Sequence, residues 1–221
     1  LRPSGNAGPV ATRLEGFLAY HEAESWTWEH MALTRARVIA GPEALTAAIE
    51  AVIAEVLHRP RDAEATAKDV RAMRARIARE KGGGSPWDLK LAPGGLLDIE
   101  FIAQYLQLVH GAAHPEVLDP HTVTALRRLA DAGVLPEAHA AELIEASRFL
   151  RSLMSVLRVA VGGEFDREKI PDGLRTALLR ATAESTFEHL EQRLKDCEAA
   201  VWAAFESIVG PLPGKADPAD R

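Results

Sequence analysis

Apolar residues recur along this chain at three- and four-residue intervals, the spacing of one face of an α-helix, and runs of Val, Ile and Thr are few. Leu45, Ile49, Val52, Ile53 and Val56 make one continuous stripe, so a helix is predicted over 43–57. Upstream, Thr12 and Glu15 have capping-box spacing and start a helix that runs to about Ser25. Trp26 to Ile39 continues with helical spacing until Gly41-Pro42, placing Arg35 and Arg37 among large apolar groups. From Asp62 to Lys81 only Val70, Met73 and Ile77 keep the period, and arginines stand at 71, 74, 76 and 79. That pattern predicts a solvated helix with one packed face. Gly82 to Pro86 is the strongest internal break. Further helices are predicted over 121–132, 136–161, 172–181 and 185–209, and the residues from Gly210 on read as a disordered tail. The expected fold is all-α, a multi-helix bundle preceded by a short segment, Leu1 to Val10, that reads as the end of a strand running into a Gly-rich loop.

The stretch from Trp87 to Leu108 breaks the pattern by its charge placement. A Pro93-Gly94-Gly95 turn enters a helix in which Glu100, Gln104 and Gln107 share one polar stripe, while Asp98 falls opposite, between Ile102, Tyr105 and Val109. An unpaired carboxylate on an apolar face costs several kcal/mol, about the cost of any buried lone charge. Arg35, Arg37 and Lys90 are therefore its candidate partners. The weaker alternative is an interaction with the helix dipole in the first turn.

Composition narrows the functional classes. With 47% hydrophobic residues in 221, the chain can bury a real core, and 5% aromatics among abundant Ala and Leu favour helix. A net charge of −6 and a pI near 5.8 argue against a nonspecific nucleic-acid surface. Cys197 is the one cysteine, which fits a reducing compartment, and no segment has the apolar length of a membrane span. A cytoplasmic location is expected. The absence of an initiator Met makes the chain read as a piece of a longer one.

Candidate chemistry is sparse. Gly84-Ser85-Pro86-Trp87-Asp88-Leu89-Lys90 imitates a nucleotidyl-transfer motif, but Lys90 stands where a second metal-holding carboxylate is needed. His110 and His114 have the spacing of a zinc pair, yet Gly111 and Pro115 interrupt the helix that would present them, and no metal site is expected. The four tryptophans are expected in the core. Leu1 to Gly8 could approach an anion through backbone N–H groups with Arg2 adding charge, against the alternative of an ordinary turn.

Three ordered blocks resemble the bacterial bifunctional glutamine synthetase adenylyltransferase/adenylyl-removing enzymes: Leu1 to Gly8, Ser25 to Gly41 and Leu89 to Gln107. The wording Trp26-Thr-Trp-Glu29 is similar to the C-terminal, adenylylating half. The resemblance implies a parent enzyme that uses ATP and Mg²⁺ to transfer AMP to a tyrosine of glutamine synthetase, with glutamine and the PII signal protein as regulators. It implies that the Mg²⁺-binding carboxylates precede Leu1, so that this piece alone is inactive, contributes no catalytic residue and binds no cofactor. Arg2 is then expected at the rim of the nucleotide site, with Arg35, Arg37, Lys90, Asp98 and Glu100 supporting it. The implied division is 1–81 as the end of the nucleotidyltransferase domain, 82–90 as linker, 91–209 as a regulatory bundle like that of PII-uridylyltransferase, and 210–221 as tail.

Overall fold

The computed structural model describes residues 8–82, 85–160, 165 and 167–213. Among these the fold is all-α, with nine α-helices, two short 3-10 turns and no strand. Helices α1 (Leu14–Ala23), α2 (Thr27–Leu33) and α3 (Glu43–Leu57) form one end, followed by α4 (Ala63–Lys81) and α5 (Leu96–His110). The rest is α6 (Thr122–Asp131), α7 (Glu137–Ala160), α8 (Asp172–Thr182) and α9 (Phe187–Ile208). The strand expected at the N-terminus and most of the expected tail lie outside the described residues; residues 8–13 form no strand.

Helix α5 is the centre. It packs against α2, α4, α6, α7 and α9, so its sides are covered almost all round. The stripe of Glu100, Gln104 and Gln107 is therefore not a solvent face. Gln104 and Gln107 are buried, and Gln107 accepts from the Asp119 N–H at 2.8 Å while donating to the Ala103 carbonyl at 3.2 Å. A single apolar cluster extends from Met31 through Val56, Val70, Ile102 and Leu150 to Phe205 and Val209.

Several local expectations are corrected. The α1 cap is Arg13, without a side-chain hydrogen bond, and the Thr12 hydroxyl instead faces the adjacent Arg13 carbonyl. Glu29 closes the start of the next helix, accepting from the Trp26 N–H at 3.0 Å and from the Tyr20 hydroxyl at 2.8 Å. Helix α2 ends at Leu33 instead of Ile39, where Thr34 turns its buried hydroxyl onto the Met31 carbonyl at 2.7 Å. Trp26 and Trp28 are exposed, whereas Trp87 and Trp202 pack against the core as expected. The 43–57 helix holds, but only Val52 and Val56 of its five stripe residues are buried.

Candidate functional site

The Pro93-Gly94-Gly95 turn enters α5 by a tight fold-back: the Leu96 and Leu97 N–H groups donate to the Leu89 and Lys90 carbonyls at 2.9 and 3.1 Å. Backbone carbonyls thereby satisfy helix N–H groups that would otherwise be orphaned. Gly94 has φ +81°, a region open to glycine, and a Cβ there would lie 1.9 Å from the Glu198 carbonyl oxygen of α9. Its own N–H donates to Asp98 Oδ2 at 2.8 Å.

Asp98 is fully buried and paired with Arg74, itself 1% exposed. Arg74 Nε donates to Oδ1 at 2.5 Å and a terminal nitrogen to Oδ2 at 3.0 Å. The same nitrogen reaches the Leu91 and Ala92 carbonyls, and the guanidinium carbon lies 5.6 Å from the Trp202 ring centre. Burial pushes the Asp98 carboxyl above its usual range, opposed by Arg74 and by the Gly94 N–H. This network ties α4, α5, the turn and α9 together. It also corrects the expected pairing with Arg35, Arg37 or Lys90. Arg74 lies between Val70 and Ile77 in the apolar period of α4, so a cation on one apolar face and a carboxylate on another could have been matched from sequence.

The other motif-block residues stand apart from this network. Glu100, at 14% side-chain exposure, accepts Arg35 at 2.9 Å and Arg151 of α7 at 3.2 Å, which joins the segment after α2 to α5 and α7. Arg37 and Lys90 are exposed, and Arg2 lies outside the described residues. The imitation motif is a turn: the Trp87 N–H donates to the Ser85 hydroxyl and the Leu91 N–H to the Asp88 carboxylate, both at 3.1 Å. His114 faces Glu116 at 3.2 Å, and among the described residues no three His, Cys, Asp or Glu side chains gather as metal ligands. Burial pushes the Cys197 thiol up to about 12, which keeps it an unreactive thiol.

Glu198 sits beside the Gly94 turn with its Oε1 buried and without a hydrogen-bond partner, and burial raises its carboxyl from 4.5 to about 7. The folded state then holds a proton that the unfolded chain has lost. Its stabilising contribution is complete below pH 4.5 and disappears as pH rises through 7. Glu198→Gln should gain roughly 2 kcal/mol relative to the parent protein between pH 4.5 and pH 8, measured as the difference in urea unfolding free energy. His30 of α2 runs the other way. Burial lowers it from 6.5 to about 4, so stability is lost as pH falls through that interval, and His30→Asn should blunt the loss in acid unfolding.

Two of the clefts among the described residues carry both charged and apolar walls. One, of about 440 Å³, lies between α7 and α9, with Glu142, Glu145, Asp196 and Arg193 around Phe149. The other, of about 470 Å³, lies among α1, α2 and α3, with Phe17, Ile49 and Ile53 as apolar walls and Arg35 and Arg37 also lining it.

Comparison with known proteins places this arrangement. The family model described as Glutamate-ammonia ligase adenylyltransferase matches residues 1–77, and that described as GlnD PII-uridylyltransferase matches residues 67–209. A bifunctional glutamine synthetase adenylyltransferase/adenylyl-removing enzyme of Rhodopseudomonas palustris (strain HaA2) is 50% identical over 95% of this chain and 21% of its own length. By the model that covers residues 67–209 the chain belongs to the family described as GlnD PII-uridylyltransferase, and along nearly its whole length it is homologous to one part of these adenylyltransferases. Enzymes of the same description from Bradyrhizobium sp. (strain BTAi1 / ATCC BAA-1182) and Xanthobacter autotrophicus (strain ATCC BAA-1158 / Py2) are 47% and 46% identical, each over 95% of this chain and 21% of the relative. The chain thus spans about a fifth of the length of these relatives. Both family models meet inside α4, the helix that carries Arg74. Among the described residues, no helix is long and apolar enough to cross a membrane.

Proposed function

We propose that this chain is the helical scaffold of an enzyme that transfers AMP from ATP to glutamine synthetase, and that it orients catalytic residues carried by other polypeptide of that enzyme. The observation that supports this most directly is how the motif-block carboxylates are used. Asp98 is engaged by Arg74 and Gly94, and Glu100 by two arginines. Neither fits a Mg²⁺ ligand, because each would have to give up its cationic partners to bind the metal. Arg35 and Arg37 are exposed enough to meet phosphate, which suits the rim or support of a nucleotide site; Arg2, Lys90, Asp98 and Glu100 remain part of that reading. Asp98 acts by fixing the turn and α5, not by touching substrate. We read residues 1–81 as the end of the nucleotidyltransferase domain, 82–90 as its linker, 91–209 as the regulatory bundle and 210–221 as tail. The cytoplasm is the expected setting.

The test replaces the matched region of the Rhodopseudomonas palustris relative with these 221 residues. The chimaera should label glutamine synthetase with AMP, and the isolated chain should not. AMP transfer by the isolated chain would overturn the scaffold reading.

A second reading is favoured by the α7–α9 cleft and by the match of 67–209 to the uridylyltransferase family: a regulatory module that holds glutamine or docks the PII protein or glutamine synthetase. Calorimetric titration of the isolated chain separates the two. Saturable heat with glutamine, PII or glutamine synthetase supports the module, and silence with all three supports the scaffold.

A further inference from the structure

The stripe Leu45-Ile49-Val52-Ile53-Val56 is continuous in sequence, but the fold covers only its C-terminal half. Val56 is 0% exposed and Val52 8%, whereas Leu45 is 46% exposed, and Ile49 and Ile53 open into the α1–α3 cleft. Ile39, at 86% exposure, adds to the same lining. Single exposed apolar residues are ordinary, but here the open end of the stripe runs on into Ile39 and an apolar-walled cleft, and a contiguous exposed apolar patch marks an interaction surface. The cleft lining also includes two guanidinium groups, Arg35 and Arg37. Arg35 is anchored from below by Glu100 yet keeps 43% of its side chain exposed.

We infer that this face is a docking surface for polypeptide of the longer enzyme: a segment that places apolar side chains over Leu45, Ile49 and Ile39 and carboxylates against Arg35 and Arg37. The relatives supply such an occupant, since about four-fifths of their length lies outside the region this chain matches. A small amphipathic anion could fill the cleft but would leave Leu45, which lies beyond its lining, in water. The uncovered area therefore favours a protein segment. The inference rests on the proposed function only in taking the chain as part of a longer enzyme.

Hydrogen–deuterium exchange tests it on the isolated chain and on the chimaera described above. Amides over residues 45–53 should exchange about tenfold more slowly in the chimaera. Ile39→Asp combined with Leu45→Glu should abolish that protection in the chimaera and shift the melting temperature of the isolated chain only slightly, because Ile39 is 86% and Leu45 46% exposed. Equal exchange in the two proteins would overturn the inference. So would protection of the isolated chain that grows with its own concentration, which would make the occupant a second copy, or equal protection of the isolated chain by added ADP, which would make it a small anion. AMP transfer is read separately: an active chimaera with an unprotected face sinks the docking surface alone, and an inactive chimaera with a protected face sinks the scaffold function alone.

Discussion

Arg74→Met should lower the unfolding free energy by about 3–5 kcal/mol, the cost of leaving a buried carboxylate without its cation. The loss should be smaller at pH 5 than at pH 8, because Asp98, already pushed up by burial, takes up a proton once the guanidinium is gone. Urea unfolding at the two pH values measures both effects. Asp98→Leu in the Arg74→Met background should restore much of the loss, since an apolar pair of similar volume is often tolerated where an ion pair stood. The Gly94 N–H, which donates to Asp98 in the parent protein, limits that recovery. Arg35→Ala is the control. Its pair with Glu100 is half exposed, so it should cost no more than about 1 kcal/mol and add independently to any Asp98 substitution. A coupling between Arg35 and Asp98 as large as that between Arg74 and Asp98 would contradict the geometry.

The second large effect is expected at Gly94. Alanine there must adopt a positive φ and place its Cβ against the Glu198 carbonyl, backbone that cannot swing aside as a side chain would. Backbone strain of about 1–2 kcal/mol and overpacking of about 1–3 kcal/mol act together. Gly94→Ala should therefore cost roughly 3 kcal/mol in thermal or urea unfolding. It should also weaken the contact between the turn and α9, seen as faster amide exchange at residues 96–98. A variant as stable as the parent protein would show that α9 does not press on the turn.

The helix inventory was legible because the 3.6-residue period survives in every long element. The predicted 43–57 helix has the observed boundaries, and the 62–81 segment forms α4 one residue on, with Asp62 capping it by accepting the Ala65 N–H at 2.7 Å. Charge pairing was half legible. Asp98 stands out in the sequence as misplaced, but Arg74 reads with its neighbouring arginines as part of a solvated face, although it falls in step with Val70 and Ile77. The α2 boundary was missed because no Gly or Pro marks it, and a threonine hydroxyl that folds back onto a carbonyl leaves no periodic signal. The polar stripe of α5 is buried for a related reason: a glutamine satisfied by backbone groups, as Gln107 is, can line a buried face, and periodicity records polarity, not exposure.

By itself the sequence determined the helical class, the family blocks and the demand of Asp98 for a cation, because each is a property of residues close together in the chain. Only the tertiary structure decided that the cation is Arg74, 24 residues away. It also decided that Glu100 joins the segment after α2 to α7, that Glu198 presses its backbone on the Gly94 turn, and that half of the α3 stripe is left uncovered. These depend on which helix faces meet. Many helix faces could satisfy the same hydrophobic pattern, and the choice among them is made by shape, by the pairing of buried charges and by the single glycine that lets α9 approach.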